Sequence, residues 1–207
     1  MVQRNGIHLS KMSGKLEGFL AISSNTTTNP YCITKNSKAK PNNICGDCYS
    51  WAMLNSYRKN MTAALQYNSD LLSQSVLDYE DLPSLLVSHI RFNAHGELIN
   101  ITRLTNLVNV AKKNPHCRCV LWTKRNDYVS KYFKLHKKPD NFSMVYSNPI
   151  KSTIMRKVPK HFDKTFNNVL THEYLDEQNC TGQKCKDCMI CYTENDTTVI
   201  VEKVKKY

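Results

Sequence analysis

Seven of the nine cysteines in this 207-residue chain fall into two groups whose spacing suits metal chemistry. The first is Cys32, Cys45 and Cys48, a Cys-x12-Cys-x2-Cys pattern followed directly by Tyr49. A Cys-x2-Cys pair on a loop leading into a helix lets two thiolates grip one metal centre, and the third arrives from upstream. The positive end of that helix and neighbouring lysines are expected to lower the thiol pKa toward the thiolate that metals require. Three thiolates on a [4Fe–4S] cluster leave one iron uncapped, open to a substrate or to S-adenosylmethionine.

The second group is Cys180, Cys185, Cys188 and Cys191. Its last part, Cys-x2-Cys-x2-Cys, has the compact spacing with which bacterial ferredoxin loops wrap a cubane. Zinc ribbons favour two separated Cys-x2-Cys knuckles, so zinc is the alternative. Four thiolates would close this site, making it structural or electron-relaying. The seven cysteines suit either two clusters or one four-cysteine site with the rest idle. Cys117 and Cys119 differ: they stand two apart at the start of an expected strand, share a face, and read as small core residues.

Other side chains could join this chemistry. His95 and Glu97 flank Gly96 after an expected strand, where they could move protons or reach an open iron; the alternative is a polar turn. Arg91 could balance anionic thiolates or be an exposed strand residue. Lys124 and Arg125 could meet a phosphate or carboxylate, or begin a solvated helix. Trp122 and Tyr146 could stack a base, though lone aromatics more often fill a core.

The elements that must position these residues alternate. After a polar lead-in, residues 17–24 read as a strand, followed by the cysteine loop and an amphipathic helix over about 50–73. A short helix is expected near Asp81. Strands are expected over 86–92, 118–123, 142–147, 168–171 and 197–204, with helices over 101–113 and 126–136. This alternation predicts an α/β fold: a partial (β/α) barrel or an open, mostly parallel sheet, with a cysteine-rich C-terminal segment. Residues 1–172 form the expected core and 173–207 the extension, within one domain. In such folds the chemistry sits beyond the C-terminal strand ends, which would bring the first cysteine loop and His95–Glu97 to one face.

Composition narrows the class. An odd cysteine count without a signal peptide argues against a disulfide framework. The N-terminus lacks the apolar core of a signal peptide, and no apolar run reaches the ~18–20 residues that span a bilayer, so the expected location is the cytoplasm, without membrane contact. The net charge of +12 sits in residues 103–164, which hold 15 Lys/Arg against Asp127, Asp140 and Asp163. Such a block suits a nucleic acid or a protein partner, or else a solvated surface in a chain with 22 lysines and 21 asparagines. Walker, Rossmann, Gly-x-Ser-x-Gly and His-Glu-x-x-His motifs are lacking, which leaves common hydrolase and nucleotide-binding chemistries unsupported.

The run Arg91-Phe-Asn-Ala-His-Gly-Glu-Leu, with Val110-Ala-Lys-Lys-Asn-Pro and Leu121-Trp-Thr-Lys, resembles the bacteriophage gene-product-88 family. So do Cys45-Gly-Asp-Cys-Tyr and Cys185-x2-Cys188-x2-Cys191-Tyr, and the resemblance covers most of the chain. It implies a phage-encoded iron–sulfur protein, which would act in the host cytoplasm, where the basic 103–164 region could meet a nucleic acid or a host protein. The layout is also similar to a reduced radical S-adenosylmethionine barrel. That resemblance implies cluster ligation by Cys32, Cys45 and Cys48, with Tyr49 beside the cluster. It further implies that Gly96 and Glu97 bind the methionine amine of S-adenosylmethionine, and that the late cysteines hold an auxiliary cluster. This chain departs from the pattern in its twelve-residue first gap and in His95, which stands where a second glycine is usual.

Overall fold

The computed structural model describes residues 6–37 and 42–205. Seven strands form one open sheet in sequence order: β1 (Ser10–Lys11), β2 (Leu20–Ile22), β3 (His89–Phe92), β4 (Arg118–Thr123), β5 (Phe142–Ser147), β6 (Lys164–Leu170) and β7 (Val199–Val204). β1 runs antiparallel to β2, and every later pair is parallel. The sheet is not closed into a barrel, so of the two expected architectures the open sheet is the one formed.

Among the described residues six α-helices accompany it: α1 (Pro30–Lys35), α2 (Tyr49–Leu54), α3 (Thr62–Gln74), α4 (Ile101–Lys113), α5 (Asn126–Phe133) and the one-turn α6 (Cys185–Cys188). Parallel neighbours joined in order by crossovers of one hand must carry their helices on one face. The main core obeys this rule. Leu72 of α3, Leu104, Leu107 and Ala111 of α4, and Val129 and Phe133 of α5 pack against Ile22, Ile90, Phe92, Cys119, Leu121, Phe142 and Met144 of the strands.

Side chains alternate across a strand, so Arg91, Val120, Trp122 and Val145 emerge on the other face. There the covering is the N-terminal turn and the cysteine-rich segment: Phe19, Cys191 and Tyr192 pack on Val120, Trp122, Val145 and Ile200. Tyr192 is the pivot, with its ring centroid 4.3 Å from Phe19 and 5.3 Å from Trp122. Cys117 and Cys119 are fully buried in the main core, as their shared face predicts.

Helix α4 and strands β4 and β5 fall on their expected bounds. The expected helix over 50–73 is instead two helices. Asn55 Nδ2 donates to the Trp51 carbonyl and Ser56 Oγ to the Ala52 carbonyl, and this local bonding competes with helix continuation. The segment near Asp81 is a single turn rather than a helix. α5 stops at Phe133, and the first strand shortens to three residues, because Ser23 and Ser24 turn to bond the β3 loop. The strand expected at 168–171 begins earlier, at Lys164, and the supposed lead-in contains β1.

Candidate metal centre and cavity

Each of the three early cysteines is placed by a different local device. Asn29 caps α1, its side chain accepting from the N–H groups of Tyr31 and Cys32, which fixes Cys32 in the first turn. Asn43 does the same for Cys45, accepting its N–H at 3.1 Å at the start of a 3-10 turn over Ile44–Asp47. Cys48 is the N-cap residue of α2. The expected loop-into-helix placement of the Cys-x2-Cys pair is therefore present.

The late cysteines are placed by β7 and α6. Cys180 pairs with Glu202 as a one-residue bridge along β7, its N–H donating to the Val201 carbonyl. Cys185 and Cys188 begin and end α6, and Cys191 is buried under Tyr192's segment.

The two groups share one cavity of about 640 Å³ on the side of the sheet away from the main core. Cys32, Cys45, Cys48, Cys180, Cys185 and Cys191 all line it; Cys188 does not. Tyr49, Gly96 and Glu97 line it too. Among the described residues no three His, Cys, Asp or Glu side chains converge on a single metal-ion position. A cubane is several atoms across, so its ligand thiols stand farther apart than those around one zinc ion.

The donor set suits a cluster in its charge. Lys124 sends its ammonium among the early cysteines and donates to Ser147 Oγ at 2.9 Å. Burial pushes that ammonium toward neutrality, but Cys45, Glu97, Cys48 and Cys32 outweigh burial, and the Lys124 pKa is raised. That balance depends on ionised sulfur, which metal binding supplies. The thiols alone behave otherwise than expected. Burial raises Cys32 and Cys45, because desolvation of the thiolate exceeds the pull of Lys124. Burial likewise pushes Cys180 to about 11 and raises Cys185 and Cys191.

Gly96 has a backbone reason to be glycine. Its φ is +73°, and a Cβ there would lie 2.1 Å from Ser24 Oγ and 2.6 Å from the Ser24 carbonyl oxygen. The Gly96 N–H donates to Thr26 Oγ1 at 2.9 Å. Glu97 is buried, and the chain's own donors engage its carboxylate. Oε1 accepts from the Leu98 N–H at 2.8 Å and from the Thr123 hydroxyl, and Oε2 accepts from the Lys124 N–H at 2.8 Å. Glu97 thus ties the β3 loop to the β4 loop. Arg103 of α4 stands behind it, fully buried, and the two charges attract.

His95 is buried, and burial, with Arg91 and Arg58 nearby, pushes its pKa down to about 4. A neutral ring lets Nδ1 accept from Ser50 Oγ at 2.7 Å, and Ser50 in turn bonds Thr26 Oγ1. Tyr49 donates to the Ala94 carbonyl at 2.7 Å, leaving its ring on the rim. Arg125 does not line the cavity; it stacks on Tyr128 and pairs with Asp127. Tyr146 packs against the helix-side core, whereas Trp122 forms cavity wall.

Sequence reasoning missed Thr26, Ser50, Thr123 and Ser147, which fix the loops under these groups. Small hydroxyl residues carry no spacing signal of their own. No protein-family model, no curated protein and no solved structure matches this chain.

Proposed function

We propose that this chain is a phage-encoded iron–sulfur enzyme of the radical S-adenosylmethionine type, with the cavity as its reaction chamber. One observation carries the reading: six cysteines from two groups more than 130 positions apart line a single cavity at an open parallel sheet. Cys32, Cys45 and Cys48 would hold a [4Fe–4S] cluster, and Cys180, Cys185 and Cys191, with Cys188 beside them, a second. When bound, a reduced cluster with an open iron supplies the electron that cleaves S-adenosylmethionine.

The chain's own residues would do the rest. Lys124 neutralises part of the charge that three thiolates bring into a buried wall. Gly96 lets the β3 loop approach the β2 loop closely enough to shape the chamber. Glu97, held by Thr123 and two backbone N–H groups, keeps the loops after β3 and β4 in register. Tyr49 covers the rim and the Tyr192 segment closes the floor, which limits water access to both cysteine groups.

The test is product analysis. Anaerobically reconstituted, reduced protein given S-adenosylmethionine should release 5′-deoxyadenosine and methionine, and a Cys45→Ser/Cys48→Ser variant should not. Absence of 5′-deoxyadenosine from protein with intact clusters removes the reading.

A second reading has its own observation. Lys134, Lys137, Lys157 and Lys160 are exposed on segments leading into β5 and β6, at the strand edge opposite the early cysteines. A non-catalytic cluster protein using that edge would bind nucleic acid with an affinity falling steeply as salt rises.

A further inference from the structure

Residues of the cavity wall carry buried polar atoms that the protein leaves without partners. Eight buried side-chain nitrogen or oxygen atoms among the described residues have no hydrogen-bond partner. Arg91 Nε, Trp122 Nε1 and Asn93 Oδ1 are three of them, and all three residues line the one cavity. Trp122 is 6% exposed and Asn93 5%. Unpaired buried groups are rare in folded proteins, and a cluster of them at a cavity calls for an occupant that completes them.

The chemistry of that occupant follows from Arg91. Its guanidinium carbon lies 4.1 Å from the centre of the Trp122 ring, so the planar fork is held by stacking. No carboxylate of the described residues forms an ion pair with it. Arg91 stands nearer the late cysteines: its charge acts on Cys185, Cys191 and Tyr192, and it also reaches Tyr49. The Tyr192 hydroxyl lies within its reach, but a stacked guanidinium with no carboxylate partner still offers a two-pronged donor to a carboxylate or phosphate. Phe166, Met12 and Leu16 supply apolar wall nearby.

We propose that Arg91 and Trp122 form the binding site for the acidic group of a small organic anion, a carboxylate or phosphate carried on an apolar or planar body. Arg91 receives the anion on its fork, the Trp122 N–H adds a donor, and Asn93 Oδ1 accepts from a hydroxyl or amino group on the same molecule. That this anion is the substrate rests on the reading of the cavity as a reaction chamber; the anion site itself does not.

Calorimetric titration of the full chain, both reconstituted and metal-free, with benzoate and with inorganic phosphate at constant ionic strength tests this. Saturable binding is expected for one of the two probes, and which one binds separates a carboxylic acid from a phosphorylated substrate. Arg91→Gln and Arg91→Lys should each weaken it by about tenfold or more, because a lysine cannot reproduce the fork. Trp122→Phe, which keeps the ring and removes the N–H, should weaken it about threefold. No saturable binding in either state overturns the proposal, as does full affinity in Arg91→Lys. If Arg91→Gln does not fold, the Trp122→Phe titration decides, and unchanged affinity there overturns the site. Anion binding by a protein that takes up no iron supports the site and counts against the cluster reading alone.

Discussion

Gly96 carries a packing role beside the one the resemblance implies. Its place before Glu97 marks it as an amine-binding glycine by resemblance, while its contacts give it a packing role: only hydrogen fits against Ser24. Gly96→Ala should therefore destabilise the fold by about 2–4 kcal/mol, read by denaturant unfolding of the metal-free chain, whether or not any ligand binds. Lys124 tests the opposite kind of role. Lys124→Met removes the cation among Cys32, Cys45 and Cys48 and should lower iron retention against a chelator by roughly 10–100-fold, with circular dichroism unchanged. The thiols carry a third expectation. Because burial raises their pKa, the metal-free Cys32 and Cys191 should react with iodoacetamide at pH 8 at least about tenfold more slowly than free cysteine, and reactivity should climb as pH rises. Cysteine spacing located these residues, but the sign of their pKa shift depends on burial, which no spacing encodes.

Elements were read best where periodicity met a clean stop. α4 begins at the Asn100 cap, whose side chain accepts from the Arg103 N–H, and ends as Asn114 leaves the helix. The break between α2 and α3 was not legible, because the apolar period continues through it while Asn55 and Ser56 bond backward to the helix. The asparagines explain more than composition suggests. Among the described residues eight of them are buried, and several serve as plugs for loops. Asn114 accepts from the Leu85 N–H at 2.7 Å and donates to the Pro83 and Val110 carbonyls. Asn141 donates to three carbonyls between α4 and β4. Asn114→Ala leaves the Leu85 N–H buried without a partner and should destabilise the protein by about 2 kcal/mol, measured by thermal unfolding.

At the scale of the whole molecule, strand–helix alternation was enough to predict an α/β sheet with the early cysteines at its C-terminal strand ends. It was not enough to show that residues 173–205 fold back over the face away from the main core and bring Cys180, Cys185 and Cys191 into the same cavity. That arrangement depends on Tyr192 packing on Phe19 and Trp122, contacts between distant segments with no local signature. Because the extension contributes β7 and half of the second core, a chain ending at residue 172 should lose cooperative unfolding and bind hydrophobic dyes. The most direct test of the account is iron and acid-labile sulfide per chain in anaerobically reconstituted protein. Iron and sulfide in equal amounts, lost in part when Cys32, Cys45 and Cys48 become serine and in part when the late cysteines do, is the predicted result. Protein that takes up zinc without sulfide, or no metal at all, would contradict it.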